Sequence, residues 1–143
     1  MTIALREKVE GIRKVLKIYD RLAGRLPNTY PRASLVVHMS EEELLEYFFV
    51  FYECTPKERE GYPPYAFCDA NSNTIHVHAT MSELTGKKIA WYLLHELGHL
   101  RAFQRYGEHD LRADDKDNKV DELYANRFAS RWIRRLATEE FFK

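Results

Sequence analysis

The 143-residue chain has little cysteine, no net charge and no long apolar segment, and each shortage argues against a class of protein. Its two cysteines, Cys54 and Cys68, form neither a C-x-x-C pair nor a disulfide framework, so we expect reduced thiols. The 22 basic residues balance the 22 acidic ones, which argues against a nucleic-acid partner because phosphate contacts need a basic excess. The longest apolar run, residues 47–52, is too short to span a bilayer. Because the first residues also lack the apolar core of a signal peptide, we expect a cytoplasmic protein with no membrane partner.

Length and apolar content predict one domain that covers residues 1–143. Apolar residues make up 45% of the chain, and a chain of this length buries roughly two-thirds of its surface when it folds. We divide it into a scaffold of helix and strand over 1–53, a core over 66–137 that carries the informative chemistry, and a tail over 138–143.

The order of helical and strand-like patterns predicts an α+β fold. Helices are expected over residues 3–23, 41–53 and 87–106, and again from Asn118 onwards. Strands are expected over 35–39, which we interpret as buried, and over the hairpin 66–69 with 74–79. The first helix should end at Gly24 and bury the stripe formed by Leu5, Val9, Ile12, Leu16, Tyr19 and Ala23.

The strongest chemical signal is an H-E-x-x-H pattern on the helix over 87–106. His95 and His99 are one helical turn apart, so both imidazoles project from one face and can bind the same metal ion. Glu96 lies beside the first histidine and can reach a water near the metal, which is where a general base is wanted. With this composition the pattern is expected by chance roughly 0.03 times per chain.

A catalytic zinc site usually has a third protein ligand, and the residues leave its identity open. The metzincin pattern fails, because Ala102 and Arg105 stand where that pattern needs Gly and His. The remaining candidates are Glu108, His109, Asp110, the acidic cluster 114–117 and Glu122. Glu122 has Asn126 four residues later on the same helical face, where an amide can orient a ligating imidazole, and Ala125 beside them allows close helix packing.

The combination of H-E-L-G-H at 95–99 with E-x-x-A-N-x-F-A at 122–129 resembles the ImmA/IrrE-type gluzincins and also the small single-domain gluzincins called minigluzincins. The similarity covers residues 65–132, about half of the chain. It implies a zincin-like fold, in which a small twisted sheet and two helices flank a zinc cleft. It also implies one catalytic zinc ion held by His95, His99 and Glu122, with Glu96 as general base and acid in an endopeptidase that acts on protein or peptide substrates. Larger gluzincins carry N-E-x-x-x-D in the glutamate helix, whereas this chain has Asp121 and Asn126 there, which favours the small branch.

Two further histidines alternate on the strand that precedes the active-site helix. His76 and His78 share one face of that strand and are candidates for contacting an extended substrate that pairs with the strand. The other interpretation is that both are partly exposed strand residues without a role in chemistry.

A non-catalytic protein that holds zinc for regulation or protein interaction is the alternative function. Such a site would close with a fourth ligand, for which His76, His78, His109 and Cys68 are the candidates. A latent peptidase is intermediate between these two functions. The resemblance to the small gluzincins implies that the tail or self-association covers the cleft in such a form.

Overall fold

The structure, a computed structural model, describes residues 3–38, 66–69, 72–106 and 115–136, and the side chains of 10–38, 66–69, 72–106 and 122–136. These residues form an α+β arrangement of three α-helices and a small mixed sheet. The elements are α1 (Ile3–Arg25), β1 (Ser34–His38), β2 (Ala66–Asp69), β3 (Thr74–His78), a 3-10 helix (Ala79–Glu83), α2 (Gly86–Tyr106) and α3 (Asp115–Arg135). The predicted helix over 41–53, Cys54 and the tail over 138–143 lie outside the described residues. None of the described helices combines the length and apolarity needed to cross a bilayer.

Strand β3 is the middle strand of the described sheet. It pairs in parallel with β1, from Ser34 opposite Thr74 onwards, and antiparallel with β2. The predicted hairpin of β2 and β3 is confirmed, and Asn73 adopts a positive φ of 52° in its turn, a conformation that asparagine tolerates. Strand β1 was expected to be buried and is not: Val36 is 40% exposed, because only one side of β1 faces the core.

Helix α1 packs against the 3-10 helix and α2 through a face that differs from the predicted one. Val15, Ile18 and Leu22 are buried, whereas Leu16 is 43% exposed. The sequence offers two adjacent apolar rows at helical spacing, and the packing selects the row that contains Val15. The helix also continues through Gly24 to Arg25, so the predicted stop at Gly24 is wrong. Gly24 has no neighbouring atom within 4 Å of where a Cβ would lie, so nothing there requires a glycine.

Helices α2 and α3 pack side by side and form much of the core. The predicted stripe of α2 is confirmed: Ile89, Leu93, Leu97 and Leu100 are all at most 3% exposed. Thr85 precedes α2, and its hydroxyl accepts a hydrogen bond from the backbone N–H of Lys88 (3.3 Å), as at a helix N-terminus. Helix α3 begins at Asp115, so the prediction that Asn118 caps this helix is wrong.

Candidate metal centre

Helix α2 places two imidazoles side by side at the centre of the candidate site. The Nε2 atoms of His95 and His99 are 3.2 Å apart, and the two rings are nearly perpendicular. Both side chains are 12% exposed, so they are largely shielded from water and still reachable from it. The spacing of four residues produces this pairing because one turn of an α-helix brings both side chains to the same face.

Helix α3 brings Glu122 to the same point. Its carboxylate oxygens lie 3.2 Å from Nε2 of His95 and 3.0 Å from Nε2 of His99. Neighbouring ligand atoms around a tetrahedral zinc ion are about 3.3 Å apart, given bonds of about 2.0–2.1 Å. The three donor atoms therefore have nearly the mutual spacing of three ligands around one ion. Among the described side chains, this is the one group of three that could hold a metal ion.

The electrostatics of the group keep Glu122 ionised. Hydrogen bonds from His95 and His99 hold the pKa of its carboxyl well below the usual range, although partial burial acts in the opposite direction. An ionised carboxylate is the form that binds a cation. The set of two imidazoles and one carboxylate is the donor set found in several catalytic zinc sites, which leave the fourth position open.

The close approach of α2 and α3 depends on two small residues. A Cβ at Gly98 would lie 2.9 Å from Cα of Ala125 and 3.1 Å from Cβ of Phe128, too close for undisturbed packing. Ala125 is fully buried at this contact, which agrees with the predicted role of its small side chain. Because the two histidines lie on α2 and the glutamate on α3, this contact brings the two helices close enough for the three candidate ligands to meet.

Glu96 points to the inner side of α2. Its side chain is 8% exposed and contacts strand β2, where the thiol of Cys68 donates a hydrogen bond to the carboxylate. Burial raises the pKa of the Cys68 thiol well above its usual value, and the charge of Glu96 and this hydrogen bond raise it further. Glu96 thus lies next to a ligand in the chain without belonging to the ligand group.

Asn126 is exposed, and the described residues include no hydrogen bond from it to either imidazole. In particular, the buried Nδ1 of His95 has no hydrogen-bond partner within the described part of the chain. Asn126 instead lies beside Arg127, Ser130 and Arg131 on the outer side of α3. The structure therefore gives no support to the predicted role of Asn126 in orienting a ligating imidazole.

His76 and His78 are both buried, so the interpretation as partly exposed strand residues is wrong. His76 stacks on Phe67 and lies 2.8 Å, ring nitrogen to ring nitrogen, from His38. Nδ1 of His78 lies 2.6 Å from the Thr80 hydroxyl and accepts a hydrogen bond from the Thr80 backbone N–H, at the start of the 3-10 helix. Pairing of a substrate with β3 is also ruled out over residues 74–77, because β1 and β2 already occupy both of its edges there.

The other candidate ligands separate into two groups. Cys68, His76 and His78 are described and do not join the group of three, so within the described side chains the site has no fourth ligand. Glu108, His109, Asp110 and the side chains of 114–117 lie outside the described residues. Glu122 is thus the one predicted third ligand that the structure places beside the histidines.

Sequence reasoning missed two neighbours of the site. Trp91 stacks on the ring of His95, and its position four residues earlier on the same helix was the available signal. The contact of Cys68 with Glu96 had no local signal, because the two residues belong to different elements.

We find no protein-family model, no curated protein and no solved structure that matches this chain. The identification of the site therefore depends on its own geometry and on its sequence motifs.

Proposed function

We propose that this protein is a zinc-dependent endopeptidase with a zincin-like fold. The observation that carries the proposal is the convergence of His95, His99 and Glu122 from two helices, with Glu96 directly beside the first ligand. The resemblance of both motifs to those of the minigluzincins supports zinc as the metal and a protein or peptide as the substrate. A purely structural zinc site would need no glutamate at position 96 and would close with a fourth protein ligand.

The residues of the chain divide the chemistry among them. His95, His99 and Glu122 hold the ion, which when bound supplies Lewis-acid polarisation of the scissile carbonyl and makes water at the site more acidic. Glu96 accepts a proton from the water whose oxygen attacks the carbonyl carbon. When the C–N bond breaks, Glu96 gives that proton to the leaving amine, and the new C–O bond completes the hydrolysis.

Glu96 is suited to this work because it is anchored. Its carboxylate accepts a hydrogen bond from Cys68, and the buried face of α2 fixes its backbone. A fixed carboxylate beside the ligands transfers protons without first having to be ordered. The proposal includes activity in the cytoplasm and leaves room for a latent form, in which the tail over 138–143 or a second copy covers the cleft.

The test combines zinc analysis with cleavage of an unbiased peptide mixture, monitored by mass spectrometry. The wild-type protein should contain about one zinc per chain and cleave peptides. Glu96→Gln should retain zinc and lose about 100-fold or more of the cleavage rate, because general-base catalysis is worth at least that much. Glu122→Gln should lose both zinc affinity and cleavage.

Glu83→Gln is the matched control, because Glu83 is an exposed glutamate on the 3-10 helix and does not belong to the group of candidate ligands. It should behave as the wild type. Comparable cleavage by Glu96→Gln would refute the role of Glu96. Full zinc occupancy without cleavage, also after removal of residues 138–143, would refute the peptidase and favour the zinc-holding interaction protein.

A further inference from the structure

Trp91 lies one helical turn before His95 on α2 and contacts the imidazole of this candidate metal ligand. Its indole stacks on the His95 imidazole, with ring centroids 5.2 Å apart and planes inclined by 21°. Trp91, His95 and His99 follow one another at four-residue steps along α2, so they form a single row on one face of the helix. The row continues to Phe103, but the described residues include no ring contact between Phe103 and either histidine.

The stack matters because, among the described residues, no acceptor takes the hydrogen bond that the second ring nitrogen of a metal-binding histidine usually donates. A metal-binding histidine almost always donates the N–H of its second ring nitrogen to an acceptor, which fixes the orientation of the ring. In His95 the Nε2 atom faces Glu122, and the buried Nδ1 atom has no hydrogen-bond partner among the residues that the structure describes. Contact with the flat face of the Trp91 indole therefore limits rotation of the His95 imidazole about its Cβ–Cγ bond.

We propose that Trp91 is a positioning residue of the metal centre, whose stacked indole sets the plane of His95 in place of a hydrogen-bond acceptor. This inference rests on the proposed function only in requiring that the three ligands bind a metal ion. Trp91 does not bind the metal itself. Because the indole already restricts the imidazole before the ion binds, less conformational entropy is lost on binding. Removal of the indole should therefore weaken metal binding.

The test measures zinc affinity by competition with a chromogenic chelator. Removal of interactions that orient a metal ligand typically costs 10–100-fold in affinity, so Trp91→Leu should bind zinc at least tenfold more weakly. Trp91→Phe keeps a flat ring and should restore most of that loss. Phe103→Leu, which removes a half-buried aromatic ring from the same row without touching a stack, should leave the affinity unchanged.

Two additional measurements separate positioning from general support of the fold. Unfolding in the presence of chelator reports the stability of the metal-free protein, which Trp91→Leu and Phe103→Leu should lower to similar extents. The visible absorption of the cobalt-substituted protein reports ligand geometry, and only Trp91→Leu should change it. In Trp132→Phe, where Trp91 is the one remaining tryptophan, added Co2+ should strongly quench the emission.

The outcomes distinguish the two proposals. If the wild-type protein binds neither zinc nor cobalt, the metal site itself is wrong. If it binds zinc and Trp91→Leu binds within twofold of the wild type with an unchanged cobalt spectrum, Trp91 is not a positioning residue and the metal site stands. If Trp91→Leu does not fold, two other results would overturn the inference. One is unquenched Trp91 emission in cobalt-loaded Trp132→Phe, and the other is wild-type zinc affinity in Trp91→Ser.

Discussion

Replacement of Gly98 by alanine tests whether the contact between α2 and α3 sets the geometry of the metal ligands. The added Cβ would lie 2.9 Å from Cα of Ala125. Carbon atoms pack at about 3.5–4.0 Å, so α3 has to retreat by roughly 0.6 Å or more. Overpacking of this kind costs about 1–3 kcal/mol, and the better helix propensity of alanine returns about 1 kcal/mol. We therefore expect a net loss of about 1 kcal/mol in the free energy of unfolding.

The effect on metal binding should exceed the effect on stability. A retreat of roughly 0.6 Å carries Glu122 away from the histidines. The Glu122 oxygens now lie 3.2 Å from Nε2 of His95 and 3.0 Å from Nε2 of His99, close to the ligand spacing of about 3.3 Å around a tetrahedral ion. We expect Gly98→Ala to bind zinc at least tenfold more weakly, by analogy with other changes that misplace ligands. Urea denaturation with chelator and zinc competition measure the two effects separately.

The matched control is Gly24→Ala. Gly24 also lies in a helix, but its added Cβ meets no atom within 4 Å. It should stabilise the protein by about 0.5 kcal/mol through helix propensity alone and leave zinc affinity unchanged. If Gly98→Ala is as stable as Gly24→Ala and binds zinc like the wild type, the contact of Gly98 with Ala125 does not set the ligand spacing.

Two further predictions concern the buried ionisable groups. Burial and the neighbouring His38 lower the pKa of His76, so His76 holds fewer protons in the folded protein than in the unfolded chain near pH 6. Stability should therefore fall as the pH drops below about 6.5. Urea denaturation at pH 7.5 and 5.5 should show a smaller pH dependence for His76→Phe than for the wild type, and an equal dependence in both would contradict the assignment. In a Cys54→Ser background, Cys68 should react with iodoacetamide at least 100-fold more slowly in the native protein than in urea, because its buried thiol has a raised pKa; rapid native labelling would show that the thiol is accessible.

The periodicity of helices made the pairing of the two candidate metal ligands on α2 predictable. His95 and His99 had to share a face once the helix was recognised, and the structure confirms their pairing. Glu122 was one of several open candidates on spacing alone, and the resemblance selected it. The small side chain of Ala125 was predictive as well, since close packing of two helices needs small residues at the crossing.

The failures have a common physical cause, which is that local patterns do not contain tertiary contacts. The predicted row of α1 contained Leu16, whereas packing buries the adjacent apolar row that contains Val15. The position of β3 between two strands depends on pairing with residues forty positions away. His76 and His78 therefore looked like residues of an open strand and are instead enclosed by their neighbours.

The parallel pairing of β1 with β3 has a consequence for how the protein forms. Ser34 pairs with Thr74, forty positions later, whereas the paired Asp69 and Thr74 of the β2–β3 hairpin are only five positions apart, and eight residues separate α2 from α3. Local contacts form in microseconds, and distant ones wait for a larger loss of chain entropy. During synthesis, β1 leaves the ribosome long before its partner exists. The edge of β1 that pairs with β3 is then unpaired in the growing chain, so aggregation is a hazard in the period before β3 emerges.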